Sequence, residues 1–253
     1  HLWSLAVEEQ FYLVFPLFVW AVWRVRANLM LALVVLALSS MWLNVYDVTI
    51  EPIKTFFLPQ TRIWEFLAGA VLAELKLRRS YGHFSTSLQR VHDVASLLGA
   101  VLMVGAVVGF SHAIKFPGVW ALIPVLGAVL LIWAGPDAWV NKNVLSLRPM
   151  VLIGIISYPL YLWHWPLLSF ARNAVGENPP WWMRLTAVIL AAVLACLTYA
   201  WVERPIRFGG RGKSWARGLV AAISIIALLG LYTYQRDGLK FRSYVKHRSA
   251  EYQ

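Results

Sequence analysis

Apolar residues run in windows of about twenty, the length needed to cross a hydrocarbon core. They fall near 4–23, 28–46, 57–75, 94–111, 118–135, 148–168, 184–202 and 216–234, with short polar connectors between them. This pattern predicts an all-α fold: a polytopic membrane helix bundle with about eight transmembrane helices in residues 1–234. Residues 235–253 are left as an extracytoplasmic tail. The window at 118–135 is the weakest, because it holds Pro124 and Gly127, although membrane helices tolerate both residue types.

The charges give the bundle an orientation. If the connectors alternate sides, one set carries Arg24, Arg26, Lys76, Arg78, Arg79, Arg90, Lys142, Arg148, Arg204, Arg207, Arg211, Lys213 and Arg217. The other set carries Lys54, Lys115, Arg172 and Arg184. Positive-inside bias then places the first set in the cytoplasm and His1 at the outer face. The basic tail QRDGLKFRSYVKHRSAEYQ runs against this bias, but the contrast sustained along the internal connectors outweighs it.

Composition agrees. The chain is 60% hydrophobic, more than a soluble domain of 253 residues can bury. A net charge of +11 would suggest nucleic acid in a soluble protein. Here topology accounts for most of the surplus, so no nucleic-acid partner is expected and the lipid bilayer is the first partner. The lone Cys196 excludes disulfides and Cys-based metal sites, and no metal is expected. The chain lacks an initiator Met and is apolar from its second residue, which reads as a piece of a longer protein.

Ionisable groups at bilayer depth cost about 2.5–3.5 kcal/mol and usually face a cavity or a partner. Three stretches carry them. In HLWSLAVEEQFYLVFP, His1, Ser4, Glu8 and Tyr12 lie near one helical face, and Glu9 points roughly 100° away. Either one carboxylate looks into the bundle while the other meets a neighbouring helix, or both are hydrated at the interface. In PQTRIWEFLAGAVLAEL, Arg62 and Glu65 are three apart. They form a self-neutralised pair, or Arg62 turns its planar fork to Glu8 or a substrate oxygen. In ISYPLYLWHWPLL, Ser157, Tyr161 and His164 follow helical spacing, and His164 is either a structural hydrogen-bonder or a chemical group. The deduced topology puts all three stretches in the outer half of the bilayer, which predicts one polar chamber open to the exterior.

On the inner side, VERPIRFGGRGKSWAR offers Arg204, Arg207, Arg211 and Lys213 among glycines. It is an ordinary positive-inside loop or a cradle for donor phosphates. Glu203-Arg204-Pro205 is expected to end its helix, since proline disfavours helical backbone at the preceding residue.

WSLAVEEQFYLVFP at 3–16, TRIWEFLAGA at 61–70, SYPLYLWHWPL at 157–167 and VERPIR at 202–207 together resemble the integral-membrane acyltransferase family three. These are O-acetyltransferases that decorate bacterial surface polysaccharides. The resemblance runs along nearly the whole chain. It implies further helices in front of His1, carrying an essential histidine and nearby arginines, and in larger members an SGNH-type domain behind. It transfers to His1, Trp3, Ser4, Glu8, Glu9, Gln10, Tyr12, Pro16, Arg62, Glu65, Tyr158, Tyr161, His164 and Pro166.

The implied activity is transfer of an acyl group, acetyl above all, from a cytoplasmic acyl-CoA such as acetyl-CoA to a hydroxyl of a cell-surface or lipid-linked glycan. The implied location is the bacterial inner membrane. No cofactor is bound; the thioester is a substrate. Histidine suits the base, a part assigned to the missing N-terminal histidine with His164, or His1, as the alternative here. Arg62 suits the oxyanion, and Glu8 or Glu9 orients the imidazole or takes the proton. Ser4, Tyr12, Glu65, Tyr158, Tyr161 and Trp163 are expected to contact substrate, and Arg204, Arg207, Arg211 and Lys213 the donor phosphates. The rival reading is a transporter or channel that passes an acyl group or anion without making a bond; the absence of a visible inverted repeat weakens it.

Overall fold

The computed structural model describes residues 3–79, 89–110, 116–176, 179–208 and 212–236, and the side chains of 212–217 lie outside that description. The chain forms two compact units, His1–Gly154 and Ile155–Gln253. The first contains α1 (Trp3–Arg24), α2 (Leu29–Ile50), α3 (Pro52–Phe57), α4 (Ile63–Arg79), α5 (Gln89–Gly109) and α6 (Leu122–Ala134). The boundary falls inside α7 (Arg148–Val175), and α8 (Trp181–Thr198), α9 (Arg204–Phe208) and α10 (Gly212–Gln235) complete the second unit. No strand occurs among the described residues.

Each predicted window contains a helix, and among the described residues six helices are long and apolar enough to cross a membrane. The stretch Gly118–Ala134 is shorter, and α4 has 17 residues with charges in its last turns. The exposed surface fits lipid: Trp20, Val107 and Ile226 are more than half exposed, so the chain is a multi-pass membrane protein.

Two predicted helices differ in detail, both because of proline. The window at 57–75 is not one helix. Leu58 is extended (φ −76°, ψ 131°) ahead of Pro59, a short 3-10 turn follows over Pro59–Thr61, and α4 begins only at Ile63. This is the backbone a residue before proline prefers. At Pro205 the reverse holds. The helix does not end at Glu203-Arg204; α8 widens into a π turn over Tyr199–Glu203 and continues as α9. Widening lets the chain route past a residue that cannot donate its i→i−4 bond.

Two kinds of contact hold the first unit together. α5 and α6 cross backbone to backbone: a Cβ at Gly99 would lie 2.8 Å from the Gly127 carbonyl oxygen, and one at Gly127 2.9 Å from that of Gly99. Glycine is required at both positions for this approach. The turn after α6 is fastened by side chains. The Asp93 carboxylate accepts the Trp139 N–H at 2.8 Å, and the Asn141 amide donates to the carbonyls of Leu131 (2.8 Å) and Gly135 (2.7 Å). α2 and α4 meet instead through polar groups, and these build the site.

Candidate functional site

A broken membrane helix exposes backbone groups that lipid cannot satisfy. Around the break between α3 and α4, four buried residues supply the partners: Ser40, Asn44 and Thr61 by their side chains and Thr55 by its carbonyl. Ser40 Oγ donates to the Gln60 carbonyl at 2.6 Å and accepts the Trp64 N–H at 3.2 Å. The Asn44 amide donates to the Thr61 carbonyl at 2.8 Å. Thr61 Oγ1 lies within reach of the Thr55 (2.6 Å) and Leu58 (2.9 Å) carbonyls. The result is a rigid turn whose last residue, Arg62, is aimed from the start of α4. None of these four residues is singled out by the sequence analysis. The signal was present in Ser40 and Asn44, polar side chains four residues apart inside a long, largely apolar helix.

Arg62 is fixed on two sides. Its Nε and Nη2 donate to the two carboxylate oxygens of Glu65 at 3.0 and 2.9 Å, a bidentate fork with both side chains 18% exposed. Its guanidinium carbon lies 5.1 Å from the Trp3 ring centroid and 5.5 Å from that of Phe56, within cation–π range. Rings continue from there: Trp3 meets Phe56 and Phe57 at 4.6 and 5.1 Å, and Phe56 meets Phe116 at 6.2 Å. Of the alternatives for Arg62, the pair with Glu65 forms, and its Nη1 is left for a substrate oxygen. Glu8 is not its partner, and both N–H groups of Nη1 lack an acceptor among the described residues.

A cavity of about 340 Å³ opens beside this pair, lined by Arg62, Glu65 and Gly69 on one side and Phe116 and α6 on the other. That is within the range of small-molecule sites. Apart from the pair, its walls are apolar.

On α1, Glu8 is half-buried and accepts the Tyr12 hydroxyl at 2.7 Å, while Tyr12 is otherwise exposed. Glu9 is exposed. Ser4 is half-buried at the same end, and His1 lies outside the described residues.

The remaining site residues belong to the second unit. His164 Nδ1 is 3.1 Å from the Leu160 carbonyl, which can only accept. A protonated Nδ1 donates to that carbonyl. Its imidazole packs 5.6 Å from the Tyr161 ring. Trp163 Nε1 donates to Thr198 Oγ1 at 2.9 Å, which ties α7 to α8. Tyr158 is exposed. Of the four donor cations, Arg204 is exposed and Arg207 is paired to Glu203 at 3.1 Å. Arg211 and the Lys213 side chain lie outside the described residues.

Comparison with known proteins follows this geometry. Residues 1–201 match the family model described as an acyltransferase domain. The chain is 32% identical over 221 residues to YrhL of Bacillus subtilis, covering 83% of this chain and 35% of that protein. It is 28% identical over 220 residues to the peptidoglycan O-acetyltransferase OatA of Listeria monocytogenes, covering 83% and 35%. Against the O-acetyltransferase OatA of Staphylococcus aureus it is 30% identical over 259 residues, covering 94% and 42%. The chain thus spans between a third and a half of the length of these relatives. No solved structure matches it. With four motifs in order, a helical membrane architecture and a family match over most of its length, the chain belongs to the integral-membrane acyltransferase family three.

Proposed function

We propose that this chain is the membrane portion of an O-acyltransferase. It moves an acyl group, acetyl in the first instance, from a cytoplasmic acyl-CoA to a glycan hydroxyl at the outer face of the bacterial inner membrane. Family membership and relatives named as O-acetyltransferases support the reaction class. The observation that carries the reading is Arg62, an immobilised guanidinium with unused donors at the mouth of an otherwise apolar cavity.

In the reaction the acceptor oxygen attacks the thioester carbonyl carbon while its proton passes to a base. The carbonyl oxygen becomes an oxyanion, then the C–S bond breaks and the thiolate leaves, to be protonated. Arg62 Nη1 is the donor for that oxyanion. Because rings and a carboxylate hold the guanidinium in advance, its stabilisation needs no reorganisation as charge develops. Glu8 is the carboxylate on the same unit that takes the proton or orients the imidazole that does. His164, whose Nδ1 meets the Leu160 carbonyl, is the imidazole of this chain offered for that part. Arg204, exposed and without an ion-pair partner among the described residues, offers a cation to the donor phosphates, and Arg207 is paired to Glu203.

The test uses the full-length protein in lipid, with acetyl-CoA and a glycan acceptor. Ester on the acceptor and matching thioester loss are expected, with Glu8→Gln abolishing both while the protein stays in the membrane. Wild-type transfer by Glu8→Gln rejects its role. Acyl or anion flux without thioester cleavage in the wild type would favour a transporter and reject the reaction.

A further inference from the structure

The turn that joins α1 to α2 keeps an arginine where the backbone favours glycine. Arg26 has a φ of 55°. Its own N–H donates to the Trp23 carbonyl at 3.0 Å, and the Ala27 N–H donates to the Val22 carbonyl at 3.1 Å. These are the paired bonds of a Schellman ending, with Arg26 at its left-handed position. An L side chain is strained in that conformation and glycine is not. A turn under no other demand would place glycine there, so what the position retains against its backbone is a guanidinium.

A second arginine is brought to the same turn from α4. Arg78 Nη2 donates to Asn28 Oδ1 at 3.4 Å while its Nε donates to Glu74 at 2.8 Å, which leaves Nη1 without an acceptor among the described residues. Arg24, Arg26 and Arg78 are all exposed, and neither Arg24 nor Arg26 has an ion-pair partner among the described residues. Three guanidinium groups thus gather about one carboxylate, Glu74, an excess of two positive charges on an ordered turn. Like charges held in this way repel unless an anion joins them.

Depth selects the anion. Trp23, beside Arg24, is exposed, and an exposed tryptophan at the end of a membrane helix sits at headgroup level. Trp20, one turn further into α1, is exposed as well and continues this surface along the direction of a lipid chain. The charge bias of the connectors puts the turn on the cytoplasmic side. The anions at that level are lipid phosphates, and the planar fork of arginine matches a pair of phosphate oxygens.

We propose that Arg24, Arg26 and Arg78 form a binding site for the phosphodiester of an anionic phospholipid of the inner leaflet, with its hydrocarbon chain lying on Trp20 and Trp23. The site belongs to the first unit alone and does not depend on the reaction proposed above.

The test is native mass spectrometry of the full-length protein in detergent, titrated with dioleoyl phosphatidylglycerol or with dioleoyl phosphatidylcholine. The first phosphatidylglycerol is expected to bind about tenfold tighter than the first phosphatidylcholine. Arg26→Gly and Arg78→Gln should each lower that preference about fivefold. Arg148→Gln, which removes another exposed cation of the same unit, should leave it unchanged. Arg26→Gly relieves the backbone as it removes the charge, so its thermal midpoint in phosphatidylcholine nanodiscs should rise by about 2 °C; the lost preference is then not lost folding.

Equal affinity for the two lipids overturns the proposal. So does an equal loss in Arg148→Gln, which would show a diffuse positive surface instead of a site. A lower midpoint for Arg26→Gly would mean that the arginine serves the fold, and removes the reason for the site. Displacement of bound phosphatidylglycerol by acetyl-CoA overturns the lipid as the source of the phosphate.

Discussion

Removing Glu65 tests whether Arg62 is held as described. Glu65→Leu leaves a guanidinium in a site where each side chain is 18% exposed, and breaking such a pair from one side costs about 3 kcal/mol, the lower end of the range for buried pairs. The two ring contacts of Arg62 return part of this, but they cannot replace two charge-assisted hydrogen bonds. For a chain of this size that loss lowers the thermal midpoint by roughly 6–12 °C. Arg62→Leu should cost less, because a lone Glu65 can take up a proton and shed its charge, whereas arginine cannot. The double variant Arg62→Leu/Glu65→Leu should return to within about 1 kcal/mol of wild type, since apolar replacement of a buried pair is close to neutral. Thermal unfolding of all four proteins in nanodiscs, at one scan rate, closes the cycle and should give a coupling of at least about 2 kcal/mol. Simple addition of the two single losses would refute the pairing. Acyl transfer separates structure from chemistry: the double variant should be stable and inactive.

Two further outcomes follow from the packing. Ser40→Ala removes a hydroxyl that serves both the Gln60 carbonyl and the Trp64 N–H, and should cost about 1–3 kcal/mol in the same unfolding assay; no loss would mean the α3–α4 break is held by other groups. Gly99→Ala places a Cβ 2.8 Å from the Gly127 carbonyl and should cost about 1–3 kcal/mol despite alanine's better helix propensity; a gain in stability would show that α5 and α6 can separate freely.

The helices were legible because each window is a continuous apolar run, and length alone identifies a span. The Arg62–Glu65 pair was legible as a partnership because i,i+3 spacing is local geometry. Its environment was not. Trp3 reads in sequence as an interfacial tryptophan, but it lies against Arg62 because α1 and α3 share one end of the unit, which is tertiary information. The two proline errors had opposite signs. Pro59 breaks a helix that the hydropathy window treats as whole, and Pro205 fails to end a helix that local preference says should stop. The difference is that a π turn was available before Pro205, whereas Ser40, Asn44, Thr55 and Thr61 make the break at Pro59 affordable.

That last point explains why the candidate site sits at the break. A straight helix through this depth would satisfy its own backbone and need no Ser40 or Asn44, but it would place residue 62 on a regular face, limited to the rotamers a helical turn allows. As the residue closing the 3-10 turn, Arg62 has non-helical backbone (φ −121°, ψ −12°) and projects from the start of α4 instead of from its side. A cation at a helix N-terminus is opposed by the helix dipole. Glu65, in the first turn of α4, offsets that field and neutralises the guanidinium together. One carboxylate therefore does for the helix end what the buried hydroxyls and amide do for the broken backbone. The polar groups of this region are thus of two kinds: those that make the break tolerable in lipid, and those that the break exists to present.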